Sequence, residues 1–220
     1  MRHRRAPGAQ PVKSNAAIPS CNQRDQQRII ASIATSRGGA RVECERLLDD
    51  LGPLALCRVL HGMRRWYTAN TFVSAQKILP HVGVLSRAMD LAPPVGAYRG
   101  FKVDVGDRLA RAQEGQVLRL RVQRNGGCSS WTLGRELADR FSGSPAGKVG
   151  LVVRLLSGEG VQSFIAPPER CEPWFNQLYA RTMGTSHRRS EREYAIYAPR
   201  VVVEVVRVKS GRRSGVRSRP

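Results

Sequence analysis

The sequence predicts an α+β domain with an N-terminal helical layer. The stretch from Cys21 to Leu91 carries helical periodicity throughout, and beyond the Pro93-Pro94 break the texture changes to short β-like runs separated by glycines. A length of 220 residues suits one domain of ordinary size, alone or with a smaller appendage, and allows a sizeable core.

The helical part reads in order. Ile29, Ile30 and Ile33 sit at helical spacing within Asn22 to Thr35, and the Gly38-Gly39 pair breaks the pattern. Leu47, Leu48 and Leu51 mark a second helix that stops at Gly52. Pro53 is placed to open a third, carrying Leu54, Leu56, Val59 and Leu60. Asn70 or Thr71 could cap a further helix running to Leu79. Residues 21–94 thus form the helical layer, residues 1–20 a disordered basic tail, and residues 210–220 a basic C-terminal tail.

The β part begins after the prolines. From Gln116 to Gln123, Leu118, Leu120 and Val122 alternate with Arg119, Arg121 and Gln123, the period of a half-buried strand. Val149 to Leu156 is more continuously apolar, as a buried strand requires. Val161 to Ile165 follows it across the turn Ser157-Gly158-Glu159-Gly160. Leu133, Leu137, Ala138 and Phe141 share a helical face. Ala166 to Arg189, rich in proline, reads mainly as a long loop, in which Trp174 and Phe175 are best explained as anchors to the core. A valine-rich strand runs from Val201 through Val208.

A formal charge of +20 implies attraction to polyanions or to complexes that contain them. Part of it lies outside the periodic segments, on Arg2, Arg4, Arg5 and Lys13 at one end and Lys209, Arg212, Arg213, Arg217 and Arg219 at the other. No apolar run approaches the roughly 18 residues of a membrane span, and no apolar h-region follows the basic start, so a cytoplasmic protein is expected. The five cysteines contain no C-x-x-C pair and read as reduced, mostly buried thiols. His3, His61, His81 and His187 are scattered, and no metal is expected.

Three short motifs carry chemical interest. Glu191 and Glu193, one residue apart at the mouth of the last apolar runs, share a face if that segment is a strand, and they repel unless a cation or a donor lies between them. A charged edge strand is the structural alternative. Tyr98-Arg99-Gly100 follows the proline break, and Ser129-Ser130-Trp131-Thr132 lies between a strand and a helix.

In this order the motifs resemble the arginine-serine-glutamate class of mono-ADP-ribosyltransferases, which includes clostridial and cholera-related toxins and bacteriophage-carried enzymes. The resemblance covers about Val95 to Lys209, so that residues 95–209 would be the catalytic domain. It implies two packed antiparallel sheets, NAD as co-substrate, and transfer of ADP-ribose to an arginine of a target protein with release of nicotinamide. The size and the basic tails suggest an effector acting on host proteins in the host cytoplasm.

Roles follow residue by residue from the resemblance. Glu193 would hold the ribose hydroxyl and stabilise an oxocarbenium-like centre. Glu191 would draw in the acceptor guanidinium and help remove its proton. Arg99 would clamp the pyrophosphate or adjacent ribose, and Gly100 would admit the nicotinamide carboxamide to the backbone. Ser130, or Ser129 if the register shifts by one, would hold the Glu193 rotamer. Tyr98, Trp131 and Thr132 would shape the strand ends around the cofactor, and Thr132 could cap the following helix. The basic tails would direct the enzyme to nucleic-acid-bound machinery. A basic, non-enzymatic nucleic-acid-binding or virion protein, and a transferase of the same fold acting on a nucleobase or small molecule, stay open.

Overall fold

The computed structural model describes residues 21–69, 81–122, 128–143, 147–184 and 193–210. The helix expected from Asn70 or Thr71 to Leu79 and most of both tails lie outside them, as does Glu191.

Helix α1 (Gln23–Ala34) opens where the Asn22 side chain accepts a hydrogen bond from the Asp25 amide at 2.9 Å, and it buries Ile29 and Ile33. Helix α2 (Gly38–Ala69) is bent where Gly52 takes φ 72° and ψ 159°, just before Pro53. The two helices read from the sequence therefore meet at that bend. They contribute Leu47, Leu56, Leu60, Met63 and Trp66 to the core, and residues 81–88 form α3 with Val82 and Leu85 turned inward.

Seven strands follow: β1 (Tyr98–Asp104), β2 (Val117–Arg121), β3 (Cys128–Thr132), β4 (Lys148–Leu155), β5 (Ser163–Ile165), β6 (Glu193–Tyr197) and β7 (Arg200–Ser210). They pair antiparallel in one sheet of order β2-β7-β4-β1-β3-β6-β5. The α+β class is as expected, but the two packed sheets are replaced by a single sheet. Its continuity depends on β7, which pairs with β2 on one side and β4 on the other. Lys209, placed above outside the periodic segments, is part of that strand and donates to an Asp139 carboxylate oxygen at 2.7 Å.

Two further corrections concern the helical layer and the long loop. Ala166 to Arg189 contains helix α5 (Pro173–Met183), opened by Pro173, whose fixed φ suits a first turn. Phe175, Leu178, Tyr179, Thr182 and Met183 form its buried face at helical spacing, a periodicity that the surrounding prolines disguise. Phe175 is buried and Trp174 half-buried, so both anchor the segment. Cys21 and Cys57 form a disulfide across 36 residues, against the expectation of reduced thiols. Packing of α1 on α2 brings them together, and no local spacing announces it. Cys44 and Cys171 are free and buried, and burial pushes the Cys171 thiol up to about 12.

The helices dock at the β5 end of the sheet. The Tyr67 hydroxyl donates to the Ala166 carbonyl at 2.6 Å, and the Ser86 hydroxyl donates to the Phe164 carbonyl at 3.2 Å. Burial holds the Tyr67 hydroxyl well above the ordinary tyrosine range, so it serves as a donor. Among the described residues no helix is long and apolar enough to cross a membrane.

Candidate functional site

The strands that carry the three sequence motifs are neighbours. β1, β3 and β6 lie side by side, with Tyr98 opposite Thr132 and Thr132 opposite Glu193. Opposed residues of an antiparallel pair point to the same face, so these three side chains form one row across the sheet. The row continues the other way, because Tyr98 is also opposite Arg154 of β4, and Arg154 is opposite Glu204 of β7. A polar line of Glu204, Arg154, Tyr98, Thr132 and Glu193 therefore crosses five strands.

Each member is placed by its strand. Tyr98 is the first residue of β1, Thr132 the last of β3 and Glu193 the first of β6, so the row lies at one end of these strands. Glu193 is 9% exposed and Thr132 3%, and a carboxylate so far out of water requires partnered surroundings. Arg154 donates to Glu204 Oε2 through Nε at 3.1 Å and also through Nη2, while its side chain stays 43% exposed. Arg154 and Glu193 stand about three strand spacings, roughly 14 Å, apart along the row.

The same face is closed lower down by helix α4 (Arg135–Phe141), which follows Thr132 after a short turn. A Cβ on Gly100 would lie 1.7 Å from the Ala138 carbonyl oxygen, and one on Gly150 would lie 1.7 Å from that of Ser142. The missing side chain of Gly100 thus admits the helix, a structural duty apart from the approach to nicotinamide expected of it. Asp139 fastens α4 to β7, accepting from Arg207 at 3.2 Å and from Lys209 at 2.7 Å. The hydrogen bond from Lys209 and the charges of both cations hold the Asp139 carboxyl below its ordinary range.

Alternation along the strands sends other predicted residues to the opposite face. Arg99 lies over the Phe101 ring, 5.7 Å from its centroid. With Trp131, Leu120, Arg121 and Val201 these two line a cavity of about 280 Å³. Arg99 and Glu193 therefore project from opposite sides of the sheet, and an Arg99 clamp on a cofactor held by Glu193 would have to reach around the strand end.

The two serines separate in the same way. Ser129 is buried on the Trp131 side, where its hydroxyl accepts from Trp131 Nε1 at 2.8 Å. Ser130 is on the Glu193 side but opposite Ala195, a diagonal away, whereas Thr132 stands directly opposite Glu193. The Thr132 hydroxyl accepts from the Gly134 amide at 3.1 Å, bracing the turn ahead of α4 rather than occupying its N-cap position.

Arg154 and Glu204 escaped the sequence reading although a signal was present. Each is the lone charge inside an apolar run, V-G-L-V-V-R-L within β4 and V-V-V-E-V-V within β7, and a buried sheet tolerates such a residue only with a partner on the same face. Comparison of the chain with protein-family models, with curated proteins and with solved structures finds no match.

Proposed function

We propose that this chain is an NAD-dependent mono-ADP-ribosyltransferase that modifies arginine on a target protein, with Glu193 as its central catalytic residue. The observation that carries the reading is the cross-strand row from Tyr98 through Thr132 to Glu193. Three motifs far apart in sequence occupy adjacent strands, with the acid near the end of the sheet and largely withdrawn from water. A substrate lying across that end would meet the Glu193 carboxylate without crossing the body of the sheet.

The chemistry follows from the charge that develops. When the bond between nicotinamide and ribose breaks, nicotinamide leaves with the electron pair and C1′ of the ribose becomes cationic. A fixed carboxylate beside that centre lowers the barrier, and its effect is larger in a site shielded from water. Thr132, directly opposite, restricts where the carboxylate can go. Arg154 shares the face and offers a partly exposed guanidinium for the pyrophosphate, a role the resemblance implies for Arg99. The acceptor guanidinium attacks C1′ after giving a proton to Glu191, whose position lies outside the described residues.

The test is incubation of the full chain with NAD labelled in the adenylate half, in the presence of a bacterial lysate. Nicotinamide release together with label on protein, removable by neutral hydroxylamine, supports arginine transfer. Label on nuclease-sensitive material moves the acceptor to a nucleobase. No nicotinamide release above that of Glu193→Gln, together with salt-sensitive RNA or DNA binding, sinks the enzyme reading in favour of a nucleic-acid-binding protein.

A further inference from the structure

We propose that Cys21, Cys57 and His61 form a redox-gated zinc site that closes the α1–α2 junction by metal when the disulfide is open. Cys57 and His61 are one turn apart on α2 and so share a face of that helix. Cys21 stands just before α1, its Cα 6.0 Å from that of Cys57. The two sulfurs and an imidazole nitrogen all lie within 4.8 Å of one another. Bond lengths of about 2.3 Å to sulfur and 2.0–2.1 Å to nitrogen put tetrahedral zinc ligands a little under 4 Å apart, so the donors need little movement once the sulfurs separate.

The ligand set matches the ion. Two thiolates and an imidazole suit zinc, and Asp25, in the first turn of α1 and close enough to act electrostatically on His61, can complete the shell directly or through water. Arg64 and Arg65 also act on His61 and oppose a cation there, but two thiolates bring negative charge into direct contact with the metal. Cys57 is fully buried on α2, while Cys21 and His61 are only partly buried, which leaves an approach for the metal.

The chemical balance is simple. A dithiol reductant gives two electrons and two protons, its own sulfurs joining as the Cys21–Cys57 bond opens to two thiols. Zinc then binds the two sulfurs and the neutral imidazole, and the thiol protons leave to solvent. The N-terminal layer stays stapled in either state.

The experiment uses the full chain, reduced with dithiothreitol, freed of reductant without oxygen, and titrated with cobalt(II) and then zinc. One equivalent of cobalt should give a thiolate-to-cobalt charge-transfer band and tetrahedral ligand-field bands, and zinc should abolish both. The oxidised chain should give neither. Because Cys57→Ser could fail to fold, the decisive variants are Cys21→Ser and His61→Asn, with circular dichroism confirming their folds. Cys21→Ser should lose most of the charge-transfer intensity, and His61→Asn at least tenfold in affinity. The proposal is overturned if the reduced chain gives no thiolate–cobalt band, if the oxidised chain binds equally well, or if either folded variant titrates like the parent.

Discussion

On one face of β1, Tyr98 stands between Arg154 and Thr132 in a row of polar side chains, while on the other Arg99 lies over Phe101 beside a cavity of about 280 Å³. The first face brings together residues from five strands, including a largely buried carboxylate. The second collects aromatic and aliphatic side chains around charged groups of both signs, in a volume below the usual range for sites that enclose a drug-sized ligand. Successive residues of a strand cannot work on the same side, so Tyr98-Arg99-Gly100, although contiguous, divides its members between the two faces. A motif read along the chain has to be re-read across the sheet before its parts are assigned to one site.

The largest expected effect separates the faces directly. Glu193→Gln should lower the rate of nicotinamide release by about a thousandfold, roughly 4 kcal/mol of transition-state stabilisation, with the far-ultraviolet circular dichroism unchanged. A variant that keeps its rate would empty the polar row of catalytic meaning. Gly100→Ala should cost about 2–3 kcal/mol of stability in urea titrations, because its new methyl group meets backbone of α4 that has to move. Gly106→Ala, which meets nothing within 4 Å, is the control and should shift the midpoint little.

The arginines give a finer contrast. Arg154→Lys keeps a charge beside Glu204 but loses the fork of donors, and it should raise KM for NAD roughly five- to tenfold with little change in kcat. Arg99→Lys should change KM less than twofold, about 0.4 kcal/mol, and the reverse ranking would move cofactor binding to the cavity face. A small effect on stability is that of Asp139→Asn, expected to cost under about 1 kcal/mol at neutral pH because its ion pairs are partly exposed. Its carboxyl titrates below the ordinary value of 3.8 in the folded chain, chiefly through the hydrogen bond from Lys209. The pair's contribution is therefore present above that value and lost as pH falls through the lower folded one. Urea midpoints of parent and variant should converge under acid, and a gap that persists would point to packing instead.

Much of the fold was legible because the deciding signals are local. Ile29 and Ile33 mark a helix without help from the rest of the chain, Gly52-Pro53 announces the bend, and the alternation in β2 and the apolar run of β4 need only their own residues. Helix α5 was hidden because proline reads as a breaker unless it is recognised as a first residue. The single sheet depended on which strands β7 would join, and the Cys21–Cys57 bond on how α1 would pack on α2. Both are tertiary choices that no window of sequence contains. At the candidate site Glu193 and Thr132 were visible as motif members, but the place of Arg154 is a matter of register.

The position of β7 bears on how the chain acquires its shape. Residues 200–210 are the last in sequence among the strands and yet lie between β2 and β4, with partners some 50 to 90 residues earlier in the chain. Until they arrive, β2 has no partner in the sheet, and the backbone edge of β4 is open to whatever strand comes near. Such long-range closure slows folding and exposes a sticky intermediate. A ribosome making this protein would release β1 to β6 first and only afterwards the strand that brings Glu204 to the polar row and joins β2 to the sheet, so the time spent waiting for β7 is the interval in which misassembly is decided.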